Sequence, residues 1–432
     1  MNTKDKQTVA VIGAGPMGLG AAYQLALDGY APMVFEADDR IGGMAAAFDL
    51  GDLRIERFYH FHCTSDQDLF ALLRELGLQD KLHWVATKMG YYFNGCIQPW
   101  GNPRALLAFR GLNLIDKVRY GLHAFLATKR ENWRPLDRLE ATRWIRRWVG
   151  EHAYDVLWRN LFELKFYEFS HDLSAAWIWS RIRRIGRSRY SIFREKLGFI
   201  DGGSEAVLHA MSAEIVRRGG QIRLSCPVQR VRLDAGTVSG IETRDGFFPC
   251  GRVISTVPMP YVPRIMPDLP TDLLNVYRSI KSIAVVCVIA KLARPVSENF
   301  WLNVNDPDMD IPGLVEYSNL RPLDRHIVYV PFYMPGENPK FAESDSSFAE
   351  KVKRYLRRIN PALREEDILD IHVSRYRFAQ PVCTPGFGDR LPPVKLPIRG
   401  LFVADTCFYY PEDRGISESI GLARRIARMA LE

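Results

Sequence analysis

The stretch from Val9 to Gly43, VAVIGAGPMGLGAAYQLALDGYAPMVFEADDRIGG, constrains the fold more than any other part of the chain. Val9 to Ile12 is a short apolar, partly β-branched run and predicts a buried strand. Gly13, Gly15 and Gly18 follow on G-x-G-x-x-G spacing, with a helix predicted from Pro16 to Asp28. Gly13 permits a tight strand-to-helix turn, Gly15 lets backbone approach a pyrophosphate, and Gly18 lets the helix pack on the strand. The first N–H groups and the dipole of such a helix favour phosphate. Gly29 stops the helix, and Ala31 to Phe35 predicts a second strand ending at Glu36. A carboxylate there can accept both hydroxyls of an adenosine ribose, each bond to a charged group contributing about 1.5–3 kcal/mol. The same acid repels a 2′-phosphate, which disfavours NADP.

Arg40, Gly42 and Gly43 continue the pattern as E-x-x-x-R-x-G-G. This resembles the flavoprotein family that includes monoamine oxidases, protoporphyrinogen oxidases, phytoene desaturases and UDP-galactopyranose mutases. The resemblance implies an α/β architecture, a Rossmann-like FAD-binding domain of the glutathione-reductase type interleaved with an α+β substrate domain. It implies FAD, held non-covalently, against Gly13, Gly15, Pro16, Met17 and Gly18, then Glu36, Ala37, Arg40, Gly42, Gly43 and Met44. Near the C-terminus, GLFVA (Gly400 to Ala404), Asp405 and EDRGISESIG resemble the family's second FAD motif. Asp405 is thereby assigned to the ribityl chain, and the backbone of Gly415 and Ile416 to the flavin ring. Val228, in V-x-x-V with Val231, falls where the family meets the adenine. Cys383 stands loosely where amine oxidases carry a flavin-linked cysteine, but too close to Asp405 in sequence.

A chain of 432 residues is too long for one simple core. The expected division is 1–88, 197–262 and 385–432 for FAD, with 89–196 as a helical part and 263–384 as a sheet part of the substrate domain. Met1 to Gln7 is polar and leads straight into the first strand, so no signal peptide is expected. The longest apolar run, Ile283 to Ala290, is far too short to span a bilayer. The 7 cysteines are scattered without C-x-x-C, which suits a reducing cytoplasm and disfavours a zinc or disulfide framework. No metal site is expected.

The net charge of +8 is unevenly placed. Lys129 to Lys196 carries 16 basic and 9 acidic residues, with six of the 9 tryptophans. Its end, WIWSRIRRIGRSRYSIFR (Trp177 to Arg194), holds six arginines and no acid. Arginine binds phosphate and carboxylate bidentately, so this run predicts an anionic partner, or else a solvated face with local partners. The same basic, aromatic region is where peripheral contact with the inner face of a membrane is expected, if anywhere. Nucleic acid is disfavoured because the rest of the chain is spent on the FAD scaffold.

Glu56 to Thr64 reads ERFYHFHCT, followed by a helix that Ser65 is expected to cap, with Asp68 three residues on. His60 and His62 are two apart, so extended backbone points them the same way. Packing and pocket roles both stay open for them. Asn94-Gly95 between apolar runs predicts a hairpin. Helices are expected at 105–109, 114–127, 142–149 and 151–166, a further helix capped by Ser204, and strands at 284–290, 313–317, 326–332 and 370–376. In the amine oxidase branch an I-K pair before a comparable strand places a lysine near the flavin; Lys281 resembles it in local pattern only, and reads otherwise as an exposed lysine at a strand edge.

The resemblance implies an FAD-dependent oxidoreductase moving a hydride between flavin N5 and an organic substrate, with His60, His62, Lys281 and Tyr409 lining the pocket. The arginines favour a phosphorylated sugar, nucleotide- or lipid-linked, as in polysaccharide biosynthesis. Tyr409, Tyr410, Glu412 and Asp413 resemble the galactopyranose mutase branch, although Asp405 stands where mutases have arginine. A non-redox mutase, a polyisoprenoid desaturase and an amine oxidase remain as alternatives. The sequence carries no sign of oligomeric state.

Overall fold

A computed structural model describes residues 8–191 and 194–432, apart from the side chains of 190–194. Met1 to Gln7 and the Arg194 side chain, both used above, lie outside the described residues. The opening motif folds as β1 (Thr8–Ile12), α1 (Pro16–Leu27) and β2 (Ala31–Phe35). β3 (Gln221–Arg223), β4 (Val253–Ser255) and β5 (Leu401–Val403) complete a parallel sheet ordered β3-β2-β1-β4-β5. Ile12 pairs with Phe35 on one side and Ser255 on the other. This is the strand order of a dinucleotide-binding sheet, whose ligand crevice lies at the carboxyl ends where the order reverses, beside β1.

A second, seven-stranded sheet is mainly antiparallel. It runs Ile368–Pro381, Ser282–Leu292, His326–Pro335, Gly313–Glu316, Trp301–Asn305, Met89–Phe93 and Cys96–Trp100. Side chains alternate across it. Ala284, Val286 and Val288 pack in one core with Phe332 and the helix Asp345–Ile359. Val285, Cys287, Pro331 and Tyr333 face the other way, into a cavity. The hairpin turn is at Asn94 and Gly95, both with positive φ (51° and 75°).

The helical part lies between these sheets in sequence. α2 (Leu114–Lys129) is closed at its start by a capping box of Asn113 and Asp116. The expected helix at 151–166 contains a π segment, Asp155–Arg159, that places Leu157 and Trp158 on the cavity wall. α3 (Ala175–Arg187) starts at Ser174, whose hydroxyl accepts from Ala176 N–H. α4 (Ile416–Leu431) returns to the first sheet and packs against α1. There a Cβ on Gly20 would sit 3.0 Å from Ala423 and Ile420.

Two expected caps are corrected. The helix after the His segment, Gln67–Glu75, is preceded by Asp66 rather than capped by Ser65. Asp66 is buried and accepts from the Cys63 N–H at 3.0 Å, so its carboxylate is committed inward. The helix Gly203–Arg217 begins one residue before Ser204, and Glu56 accepts the Ser204 N–H at 2.8 Å.

Candidate active site

α1 and α4 both begin on a glycine, Gly15 and Gly415, with no side chain capping their N–H groups. Unsatisfied helix starts attract anions and electron-rich groups. Both open into one continuous cavity of about 1,880 Å³. Gly13 has φ of 99°, and a Cβ on Gly18 would meet its carbonyl oxygen at 1.8 Å. Gly42 has φ of 113° and donates its N–H to Ala14 at 2.8 Å, which draws the Arg40 loop over the α1 start. The Glu36 carboxylate accepts the N–H groups of Ala14 at 2.6 Å and Asp38 at 2.9 Å, and so is fixed at the cavity edge.

Pro16, Met17, Ala37, Gly43, Met44, Val228 and Ile416 line the same space. Gly18, Arg40 and Gly42 do not; they brace it from behind, Arg40 through Asp39 at 2.7 Å and the Ala47 carbonyl at 3.3 Å. Asp405 lines the α4 end, accepting from Met259 and Cys407 N–H groups at 2.8 Å each. Burial pushes its carboxyl up from the usual range, opposed by those two donors. A long groove with an acid at one end, bare backbone in the middle and a second helix start beyond it fits a flavin dinucleotide.

His60 and His62 both line the cavity. The Nδ1 of His60 is buried without a partner, and burial lowers its pKa, with Glu56 opposing. Burial, and then His60 and Arg184, push His62 down to about 3, so the His62 ring stays neutral across the physiological range. Tyr409 also reaches the cavity, but its hydroxyl is committed to Ser419 Oγ at 2.8 Å. Lys281 is corrected: it is exposed, precedes the strand Ser282–Leu292, and has no place in the cavity wall. The local I-K pattern fixes its distance from the strand but not the side of the sheet it serves.

Residues 18–407 match the family described as flavin containing amine oxidoreductase. The chain belongs to this family. FAD is accordingly its cofactor, as the cradle above accommodates. The chain is 24% identical over 286 residues to a 15-cis-phytoene desaturase of Synechococcus elongatus, covering 60% of either protein. It thus spans less than two thirds of that relative. Its fold is that of a putative protoporphyrinogen oxidase from Exiguobacterium (TM-score 0.75, 17% identity, 98% and 99% of the two chains). It is equally that of a reduced UDP-galactopyranose mutase (TM-score 0.75, 17% identity, 99% and 96% of the two chains).

The sequence left the arginine run without acids, and the fold supplies them from elsewhere in the chain. Arg181 pairs with Asp413 at 2.7 Å, Arg184 with Asp66 at 3.3 Å, Arg183 with Glu412 at 3.7 Å and Arg187 with Glu131 at 3.7 Å. Much of the run is therefore internally compensated, which corrects the expectation of an open anion-binding face. What remains is a smaller cluster on the cavity wall. Lys165, Arg181 and Arg414 face one carboxylate, Asp413. Burial and Arg181 push the Lys165 ammonium down to about 7, with Asp413 pulling the other way. Burial works against ionising Asp413, but Arg181 and Lys165 hold its carboxyl below the usual range. Glu195 also lines the cavity, its carboxyl pushed up to about 7 by burial. Lys165, Glu195, Arg57 and Arg414 were not singled out from sequence: Arg57 and Arg414 lie inside the His and C-terminal motifs but match no motif position, and nothing near Lys165 and Glu195 marks them as sharing a cavity.

Proposed function

We infer that this chain is an FAD-dependent oxidoreductase for an amphiphilic substrate, one with a long apolar body and a single anionic group. The observation that carries this reading is the wall of the cavity beyond the cofactor cradle. Tyr59, Phe61, Leu161, Phe162, Ile182 and Phe300 give it an aromatic and aliphatic surface. That surface ends on Lys165, Arg181 and Arg414 against Asp413 alone. FAD, when bound, supplies the hydride acceptor. The apolar wall excludes water from the reacting carbons and orients the chain of the substrate. Arg181 and Arg414 hold the anion, and its arrival favours the charged form of Lys165, which takes up a proton at Nζ. Cys383 is buried outside the cavity wall, which supports non-covalent FAD.

A polyisoprenoid phosphate, or a lipid-linked phosphosugar, belongs to this substrate class; a nucleotide-linked sugar lacks the apolar body. The test is anaerobic mixing of holoprotein with a polyprenyl phosphate and, separately, with the neutral polyprenol. Bleaching of the flavin by the phosphate, with KM raised about tenfold or more in Arg414→Gln, is the expected result. Equal bleaching by the neutral alcohol would remove the anionic group from the assignment. Turnover of a nucleotide sugar with reduced flavin and no net oxidation would replace this reading with mutase chemistry.

A further inference from the structure

α2 is turned inside out relative to an ordinary surface helix. Asp116, Tyr120 and His123 face the protein. Asp116 is buried and meets His152 at 2.6 Å, His123 packs on Trp144 with centroids 4.7 Å apart, and Tyr120 on Trp100 at 5.6 Å. The Ala127 carbonyl accepts from the Trp179 indole at 2.8 Å. The opposite face is apolar and bare. Leu114 is 69% exposed, Ile115 70%, Val118 61%, Leu122 51% and Phe125 58%, with Leu107 of the preceding helix at 63%. Ile115, Val118, Leu122 and Phe125 follow a spacing of three to four and form one stripe. A soluble protein ordinarily scatters such residues singly; a contiguous apolar patch marks an interaction surface.

The charge around the stripe says what covers it. Residues 97–130 contain Arg104, Arg110, Lys117, Arg119, Lys129 and Arg130, and a single acid. That acid, Asp116, is the buried one. Lys117 and Arg119 are held in place by carbonyl oxygens, of Leu107 and of Trp148 and Arg147, which leave their charge intact. A second copy placed on this stripe across a two-fold axis would bring two basic rims together, and like-charge juxtaposition opposes association. An anionic lipid surface satisfies both the stripe and the rim.

We propose that the exposed face of α2, with Leu107, lies in the surface of an anionic bilayer and seats the cavity mouth there. The inner edge of the same helix supplies Tyr120, Gly121, Ala124 and Thr128 to the cavity wall, beside Pro103 and Leu106. One helix therefore faces lipid on one side and the cavity on the other. Among the described residues no helix is long and apolar enough to cross a membrane. α2 accordingly lies in the plane of the interface, as basic amphipathic helices do. The site differs from the Arg181–Arg194 run, whose described arginines are largely paired with acids.

The experiment is vesicle flotation of FAD-loaded protein with phosphatidylcholine, or with phosphatidylcholine plus phosphatidylglycerol. Wild type is expected to float with the anionic vesicles, less so in high salt. The double variant Ile115→Glu, Leu122→Glu should bind about tenfold more weakly or worse, with flavin spectrum and melting temperature unchanged. Both positions are exposed and outside the cavity wall, so folding and cofactor content are the controls. Absence of flotation in wild type, equal flotation on neutral vesicles, or full binding by the double variant would each overturn the proposal. So would a dimer that this variant dissociates, with no vesicle binding. Flotation is read without turnover, so it succeeds or fails independently of the proposed reaction.

Discussion

Lys165 is the residue whose behaviour follows most directly from its surroundings. With its ammonium pushed down to about 7, it is neutral at high pH and charged below. An anionic ligand therefore binds more tightly on the acid side, and its Kd should rise as pH climbs through 7. Arg181→Gln removes a like charge and should shift that inflection upward; a flat Kd from pH 6 to 9 would exclude Lys165 from the site. The same group works against stability. Its folded pKa lies below its unfolded one, so the unfolded chain binds more protons between about 7 and 10.5, and stability rises with pH over that window. Lys165→Met should raise the melting temperature most below pH 7 and progressively less above. At the other end of the cavity, Glu36→Arg removes the acceptor fixed by Ala14 and Asp38 and should release FAD on gel filtration. Wild-type flavin content in that variant would end the ribose assignment. Glu36 was readable from the chain because its place after a strand is a local fact. Lys165 was not, because its cavity is built from residues as distant as Tyr333 and Asp413.

At the scale of elements, the β1–α1 turn is the least forgiving part of the structure. A Cβ on Gly18 would lie 1.8 Å from a backbone carbonyl, with no flexible side chain to give way. Gly18→Ala should cost at least about 1–3 kcal/mol, the usual range for overpacking, and lower both melting temperature and FAD content. Gly77→Ala is a useful contrast. There no atom lies within 4 Å, so only the strain of a φ of 67° remains, and FAD content should hold. Strands and helices were readable to within a few residues, because alternation and three-to-four spacing are properties of neighbours. Caps were less so. Ser65 and Ser204 have the right chemistry, but Asp66 and Glu56 are placed by contacts to Cys63 and to Ser204 itself. The arginine run erred for a similar reason: its acids lie at positions 66, 131, 412 and 413.

At the scale of the molecule, cofactor and fold are linked. The cradle draws on β1, β2, the Val228 segment and α4, and these pack together only in the folded state. A ligand bound to that state alone stabilises it by about 2.7 kcal/mol at a hundredfold excess over Kd. Removing FAD should therefore lower the melting temperature and adding it back should restore it; an unchanged melting curve would show that the cradle is not the binding site. The α/β class and the two interleaved sheets were legible, since the opening and closing motifs lie at opposite ends of the chain and must meet. The orientation of α2 was not, because a helical stripe reads the same whether it faces a core or the outside.

β5 and α4 come from residues 401–431, yet one is an edge of the flavin sheet and the other supplies half of its helix starts. During translation, a nascent polypeptide has neither until residues 401–431 have left the ribosome. Vitamin capture thus waits on residues 401–431, and the earlier strands of the sheet must stay sheltered or unfolded until that stretch has emerged.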